Sequence, residues 1–390
     1  MVKPFNFSRL PLVYFGPGKT DLLAGIAARY GTSAFLVTGK GSFISSLKGK
    51  EIFSLLEVKG IKIYHAAVSG EPSPAIIDDA VAEVRGRKID VVVAIGGGSA
   101  IDAGKAVSAM LPLGGKIKEY LEGVGQKEHP GIRVPFIAVP TTAGTGSEAT
   151  KNAVISEVGE NGFKKSLRHE NFVPDVAIVD PLLAITCPPE ITAASGMDCF
   201  TQLTEAYLSE KGNSYTDALA LEGIKAFKSG LLKAFLNGDD IEARTDMAFA
   251  ALTSGICLAN AGLGVVHGFA SAIGAMVNVP HGVVCGTLMA KANEINVREL
   301  RKKSPSASAL NKYAVLGEIF LDEKGKSKDY CIDGFIQSLH DLTASLNIPL
   351  LGRYGVSAGY AETICKATDI KSNPVSLTIT DLIEILTSRI

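Results

Sequence analysis

The stretch Val91-Val92-Val93-Ala94-Ile95-Gly96-Gly97-Gly98-Ser99 decides the fold of this chain. Five consecutive apolar residues are typical of a strand buried on both faces of a parallel sheet. The pattern over residues 100–110 predicts a helix directly after the glycines. Glycines let backbone amides approach an anion, and the helix start adds partial positive charge. The stretch therefore predicts a turn that binds a pyrophosphate, although it is not the G-x-G-x-x-G fingerprint.

Three further apolar runs, residues 34–38, 61–66 and 136–139, predict additional buried strands. Between them, residues 73–87 predict a helix that Ser73 caps and that Pro74 begins. This alternation indicates an α/β unit with a parallel sheet. After Asp180-Pro181 the pattern becomes almost entirely helical. We expect an α/β domain over residues 1–185 and an all-α domain over residues 186–390, with the ligand site in the cleft between them.

The composition indicates a cytoplasmic protein that acts on small molecules. Lysines and arginines number 39 against 40 aspartates and glutamates, which argues against a nucleic-acid partner. Six scattered cysteines without a C-x-x-C pair indicate a reducing compartment. The apolar stretch 258–279 is long enough to span a membrane. Asn260, His267 and Asn278 interrupt it, so we expect a buried helix and no membrane partner.

A second loop rich in small residues follows the predicted strand 136–139. Its sequence is Pro140-Thr141-Thr142-Ala143-Gly144-Thr145-Gly146-Ser147-Glu148. Hydroxyls and backbone amides there can line a nucleotide. Each loop also allows a purely structural interpretation, because Ser99 with Asp102 and Thr145 with Glu148 have capping-box spacing. Two such loops after two parallel strands favour nucleotide binding.

Histidines and an aspartate suggest a metal site in the helical half. Pro280 prevents one continuous helix from running from His267 to His281. We therefore expect the two histidines on separate elements that pack together. Asp198 and Gln202 are four residues apart and share one helix face. From spacing alone, two hydrogen-bonded core histidines and an Asp–Gln pair, with Ser195 capping, explain these residues better than a metal site does.

Together these segments resemble the iron-containing (group III) alcohol dehydrogenases over essentially the whole length of the chain. The matching segments are Phe15-Gly16-Pro17-Gly18, the stretch from Gly96 to Asp102, the loop 141–148, Asp180-Pro181, Gly196-Met197-Asp198 and the pair of His267 and His281. The resemblance implies an α/β dinucleotide-binding domain and an all-α domain of the dehydroquinate-synthase-like type, with a metal in the cleft.

The resemblance also implies residue roles. Gly97, Gly98, Ser99 and Asp102 would hold the pyrophosphate, Thr141, Thr142 and Thr145 would line the nucleotide, and Lys164 would lie near the ribose. Asp198, His267 and His281 would ligate Fe²⁺ or Zn²⁺, with Gln202 in the fourth ligand position.

The chain departs from the family at two positions. The family usually has histidine where this chain has Gln202, and often a second histidine where it has Ser271. An amide oxygen is a weaker donor than imidazole, so we expect lower metal affinity or a changed metal preference.

The end of the first predicted strand bears on the choice of coenzyme. NAD-dependent relatives often carry an acidic residue at the position of Gly39, which binds the ribose and repels a 2′-phosphate. Gly39, Lys40 and Ser42 would instead tolerate that phosphate. We therefore expect NADP, or NAD, as the coenzyme.

The resemblance predicts a metal-assisted alcohol dehydrogenase or aldehyde reductase for a small substrate, working as a homodimer or higher homo-oligomer. Two alternatives remain open. A dehydroquinate-synthase-like lyase would need basic residues in the cleft, for which Lys164-Lys165-Ser166-Leu167-Arg168-His169 is the local candidate. A nucleotide-binding relative with weakened catalysis is suggested by Gln202 and Ser271.

Overall fold

A parallel sheet of six strands forms the centre of the N-terminal half in this computed structural model, which describes residues 4–159 and 162–390. The strand order is β1-β8-β5-β4-β2-β3, and each neighbouring pair is parallel. A separate antiparallel hairpin is formed by β6 and β7. The strands are β1 Leu12–Phe15, β2 Ser33–Gly39, β3 Lys62–Val68, β4 Val91–Gly96, β5 Phe136–Pro140, β6 Asn152–Glu157, β7 Phe163–Arg168 and β8 Val176–Val179.

Helices cover both faces of the sheet and make up most of the C-terminal half. They are α1 Leu23–Ala27, α2 Ser42–Ser45, α3 Leu47–Val58, α4 Pro74–Glu83, α5 Gly98–Met110, α6 Pro189–Leu208, α7 Ser214–Leu236, α8 Ile241–Ala261, α9 Val265–Met276, α10 His281–Lys303, α11 Ser308–Leu321, α12 Lys328–Ser345, α13 Ala361–Ala367 and α14 Ile379–Thr387.

The central strands are apolar on both faces because each face is covered. In β2, Phe35 and Val37 pack into the core on the α4–α5 side, whereas Ala34 and Leu36 pack into the core on the α1–α3 side. Side chains alternate along a strand, so a strand between two helical layers needs an unbroken apolar run. This arrangement explains why the sequence predicted these strands correctly.

The strand order reverses between β2 and β4, which creates a crevice at their carboxyl ends. Thr38 of β2 is paired with Ile95 of β4, and Gly96 is paired with Pro140 of β5. The loops after these strands therefore lie side by side. Ligands of open α/β sheets bind at such a reversal.

The loop after β5 also contacts the helical half through two glycines. Gly146 has a φ of 61° and lies against Gly255 in the middle of α8. A Cβ added to Gly255 would be 2.1 Å from the carbonyl oxygen of Gly146. The two backbones touch here because neither residue has a side chain.

The structure confirms the predicted fold class, an α/β N-terminal part followed by a helical C-terminal part. Each predicted strand is present; β2, β4 and β5 are one or two residues longer than predicted, and β3 begins one residue later and ends two residues later than predicted. Ser73 caps α4 as predicted, accepting a hydrogen bond from the amide of Ile76. The sequence missed β1, β8 and the hairpin. The boundary at residue 185 remains a prediction, and it falls between β8 and α6.

The apolar stretch 258–279 is divided between α8 and α9, with a break before Val265. Within the described ranges, no single helix passes the length and hydropathy test for a membrane span, although α8 and α9 pass it as a pair bent by 97°.

Candidate active site

A cavity of about 600 Å³ lies between the carboxyl edge of the sheet and the helical half. Its size is within the range typical of small-molecule sites. Both halves of the chain line it, the sheet side with Gly98, Ser99, Asp102 and Thr145, and the helical side with Asp198, Gln202, His267 and His281. The structure thus brings the two predicted sets of site residues to one cavity.

Four potential ligand atoms meet on the helical side of this cavity. They belong to Asp198 in α6, His267 in the first turn of α9, and His281 and Cys285 in the first turns of α10, and all lie within 4.8 Å of one another. Pro280 precedes α10 and lets the two histidine-bearing helices start beside each other. The two imidazole centroids are consequently 5.5 Å apart.

Glu205 fixes the orientation of His267. Its carboxylate accepts hydrogen bonds from the amides of Gly264 and Val266, at 2.8 Å each, and lies 2.7 Å from His267 Nδ1. Because Nδ1 donates to this carboxylate, Nε2 is the nitrogen that faces Asp198, whose Oδ1 is 3.3 Å away. His281 Nε2 lies 3.5 Å from the same oxygen.

This donor set fits a divalent metal ion. Carboxylate oxygen, imidazole nitrogen and thiolate sulfur are all ligands of zinc and related ions. The lone pair of His267 Nε2 and the Asp198 carboxylate face each other in a buried site, so a cation or a proton is needed between them. A histidine held by a carboxylate through its other nitrogen is the usual support of a metal ligand.

The pKa values of Asp198, His281 and His267 are all shifted because these side chains lie close together in a buried site. Burial would raise the pKa of Asp198, but His281 and His267 outweigh it and hold that pKa at about 2. Burial and the nearby Lys164 ammonium lower the pKa of His281 to about 4, so its imidazole is neutral at pH 7. The pKa of His267 is raised despite its burial, because Cys285, Glu205 and Asp198 favour the imidazolium.

Gln202 lies in the cavity wall but already has a protein partner. Its Oε1 is 2.7 Å from Ser254 Oγ in α8. The predicted local pair with Asp198 is therefore replaced by a contact between helices. Ser195 lies inside α6 and donates to the carbonyl of Ile191, so it does not cap the helix at Asp198. Ser271 donates to the carbonyl of His267.

On the sheet side, the glycine turn packs directly against the second loop. A Cβ on Gly98 would lie 2.5 Å from Thr145 Cγ2, and one on Gly97 would lie 3.2 Å from Thr142 Oγ1. The amide of Thr141 donates to the carbonyl of Gly96. Gly98 and Thr145 line the cavity, whereas Gly97, Thr141 and Thr142 lie beside it at the sheet edge.

The capping-box interpretation of these loops is wrong. Helix α5 begins at Gly98 with Gly97 as its cap, and no side chain caps it. Asp102 instead accepts a hydrogen bond from the amide of Val154 in β6, and its other oxygen, Oδ1, is buried and has no partner among the described residues. Burial raises the pKa of Asp102.

Lys164 reaches the site from β7 and lies closer to the metal ligands than its predicted ribose role suggests. Its ammonium pairs with Glu71 and lies 3.4 Å from His281 Nδ1. Gly39 and Lys40 lie at the end of β2, outside the cavity lining, with Lys40 exposed. The backbone of Ser42 begins α2, and its side chain lies outside the described part of the chain.

Sequence reasoning missed three functional candidates. Glu205 follows Asp198 by seven residues and Cys285 follows His281 by four, so each shares a helix face with a predicted ligand. That spacing was the available signal. The position of Glu71 gave no such signal, because its partner Lys164 is 93 residues away in sequence.

Comparison with known proteins decides the family. A profile described as "Iron-containing alcohol dehydrogenase" matches residues 11–181. Another, described as "Fe-containing alcohol dehydrogenase family, C-terminal", matches residues 192–390. The chain belongs to the iron-containing alcohol dehydrogenase family. It is therefore an oxidoreductase of the alcohol dehydrogenase class, and the lyase alternative is not favoured.

Individual members of this family are similar over most of the chain. Alcohol dehydrogenase 4 of Saccharomyces cerevisiae is 34% identical over 341 residues, which cover 87% of this chain and 85% of that protein. The NAD-dependent methanol dehydrogenase of Bacillus methanolicus is 29% identical and covers 98% of each chain. A solved structure of 1,3-propanediol oxidoreductase aligns with a TM-score of 0.88, 28% identity and full coverage of both chains.

Proposed function

We propose that this protein interconverts a small alcohol and its aldehyde, with NADP or NAD as the hydride carrier and a divalent metal ion bound by Asp198, His267 and His281. One observation carries the proposal. The convergent donors of the helical half and the glycine turn of the sheet line the same cavity, which is large enough for a nicotinamide and a small substrate.

The chain's own residues position the reactants. The backbone amides at the start of α5 would bind the pyrophosphate, and Asp102, whose Oδ1 has no hydrogen-bond partner among the described residues, lines the same part of the cavity. Glu205 holds His267 in the tautomer that presents Nε2. A divalent ion bound there supplies Lewis-acid stabilisation of the substrate oxygen. A bound nicotinamide would accept the hydride from the carbinol carbon, and the hydroxyl proton would go to solvent.

The preference for NADP is supported by the absence of an acidic side chain on Gly39, beside the exposed Lys40. The relatives include an NAD-dependent enzyme, so both coenzymes remain in the proposal.

Cytoplasmic location is supported by six free cysteines. A homodimer is supported by the edge strand β1, whose Leu12 is exposed, and light scattering after gel filtration would measure it.

The lyase alternative required a cluster of basic residues in the cleft, for which residues 164–169 were the local candidate. Of the five cations that line the cavity, three have acidic partners, Lys164 with Glu71, Arg168 with Glu122 and Lys151 with Glu170, whereas Lys211 and Lys371 form no ion pair with the described residues. An ammonium or guanidinium paired in this way is less available to bind a substrate phosphate.

The test is steady-state reduction of NADP and NAD with short primary alcohols, using metal-free protein to which zinc or iron is returned. We expect turnover only after metal is added, and a higher kcat/KM with NADP. Full activity after exhaustive chelation would remove the metal from the proposal. Lack of turnover in a metal-loaded preparation would favour a relative with weakened catalysis.

A further inference from the structure

Cys285 occupies the metal centre in a way that the family resemblance did not predict. It lies one turn after His281 in α10 and is fully buried. Its Sγ is 3.8 Å from the Nε2 atoms of both His267 and His281. These nitrogens are the ones that face Asp198. The sulfur therefore points at the place where the other three donors meet.

Gln202, the residue in the family's fourth ligand position, has a different environment. Its Oε1 accepts from Ser254, which ties it to α8. To ligate a metal through the same oxygen, it would have to share or give up that hydrogen bond. Among the described residues, the side-chain contacts of the Cys285 sulfur are to other members of the donor set, His267, His281 and Asp198.

We propose that Cys285 is the fourth protein ligand of the metal centre and that its thiolate replaces the imidazole missing at Gln202, so that the site prefers zinc to iron. This inference rests on the proposed function, because it assumes the metal site of that proposal. The donor set is one carboxylate, two imidazoles and one thiolate, and all three kinds of group are common ligands of zinc in proteins. A soft thiolate selects zinc over harder-ligand ions.

The charges and protons balance for this ligand set. Cys285 is a free, buried cysteine, and its thiol proton must leave before the sulfur can ligate a metal. Metal binding displaces that proton, together with any proton on His267 Nε2, to solvent and leaves a thiolate and an imidazole that ligates through Nε2. Asp198 and Cys285 then contribute two negative charges, which neutralise a divalent ion, and His281 remains neutral. With Gln202 in place of the thiolate the same site would keep a net positive charge.

Cobalt loading tests the ligand directly. A cobalt–thiolate bond gives an intense charge-transfer absorption in the near ultraviolet, which oxygen and nitrogen ligands do not give. We expect this band in the wild-type chain at one cobalt ion per chain. Cys285→Ala should abolish the band and weaken zinc binding at least tenfold, measured against a competing chelator. Cys331→Ala, which removes another buried cysteine far from the site, and Gln202→Ala should both keep the band.

A rescue variant guards against a merely structural role for Cys285. The double variant C285A/Q202H supplies an imidazole at the family's usual position. We expect it to regain zinc affinity to within a few fold of wild type, without the thiolate band. If Cys285→Ala does not fold, the spectrum of the cobalt-loaded wild-type chain, compared with those of Cys331→Ala and Gln202→Ala, still decides the question.

Two results would overturn the inference. One is a cobalt-loaded wild-type chain without a thiolate band. The other is loss of metal binding in Gln202→Ala while Cys285→Ala binds normally. Neither measurement uses turnover, so the two proposals fail separately. A chain that shows the band but reduces no coenzyme contradicts only the proposed function.

Discussion

Glu205 is the single residue on which the orientation of His267 depends. Glu205 is buried, and its carboxylate accepts hydrogen bonds from two backbone amides at the start of α9 and from Nδ1 of the His267 imidazole. A glutamine at this position keeps the shape but loses the charge that fixes the tautomer. Partners of this kind typically contribute 10- to 100-fold to metal affinity.

We therefore expect Glu205→Gln to weaken zinc binding by about 10- to 100-fold. Competition with a chromogenic chelator measures the dissociation constant in the folded fraction. Glu210→Gln, an exposed carboxylate near the end of the same helix, is the matched control and should bind zinc like the wild type. Equal affinities for all three proteins would contradict the positioning role of Glu205.

Gly39 offers a second test at the scale of one residue. It ends β2 beside the glycine turn, where the adenosine ribose of the coenzyme is expected. Gly39→Asp should lower the ratio of kcat/KM for NADP to that for NAD at least tenfold, because a carboxylate repels the 2′-phosphate. Val58→Asp adds the same charge at the exposed end of α3 and should leave the ratio unchanged. An unchanged ratio in Gly39→Asp would place the ribose elsewhere.

At the scale of elements, the contact between the two coenzyme loops depends on the small size of Gly98. A methyl group there would lie 2.5 Å from Thr145 and force the loops apart. We expect Gly98→Ala to weaken coenzyme binding more than tenfold, measured by fluorescence titration of NADPH. Gly25→Ala is the control, since a methyl group on this exposed glycine of α1 has nothing within 4 Å. Normal coenzyme affinity in Gly98→Ala would argue against a close backbone approach.

The short helical turn Ser147–Ala149 at the end of the second loop buries the carboxyl group of Glu148, and this burial makes the stability of the fold depend on pH. Burial raises the pKa of Glu148 from 4.5 to about 7. The folded state therefore holds the proton more tightly than the unfolded state. The stability this gives is fully present below pH 4.5 and is lost as the pH rises through 7.

Replacing Glu148 with glutamine removes this titration. Relative to wild type, Glu148→Gln should gain up to about 3 kcal/mol in free energy of unfolding between pH 4.5 and 7.5. Urea unfolding at several pH values measures the difference. Glu190→Gln removes an exposed carboxylate and should follow the wild-type profile. A constant difference between Glu148→Gln and wild type would show that Glu148 is not protonated in the folded state.

Uniform burial helped the prediction of strands but did not decide it, since the edge strand β3 was predicted and the buried strand β8 was missed. Strands β2, β4 and β5 are covered on both faces, and α5 follows its glycine turn without interruption. Strand β1 lies at the sheet edge and is only partly buried, and three of the six residues of β7 are charged, so neither was recognised as a buried apolar run. For the site, chain spacing gave the candidates, but contacts such as Gln202 with Ser254 arise only when α6 packs on α8.

At the scale of the whole molecule, the cavity joins the two halves, so bound ligands should stabilise both together. A ligand at 100 times its dissociation constant adds about 2.7 kcal/mol to the stability of the state that binds it. We expect zinc and NADPH to raise the Tm, with zinc's effect reversed by chelation. Asp198→Ala should lose the response to zinc and keep the response to NADPH. An equal zinc response in that variant would place the metal outside this cavity.

The contact between Gly146 and Gly255 limits which relatives can be combined with this chain in a chimeric protein. A chimera that takes its sheet from one parent and its helices from another joins these two backbones across the crossover. Since a Cβ on Gly255 would lie 2.1 Å from the Gly146 carbonyl oxygen, a parent with alanine at either position supplies an incompatible half. Shuffled libraries whose breakpoint falls between these two residues should therefore be enriched for survivors that inherit glycine at both sites.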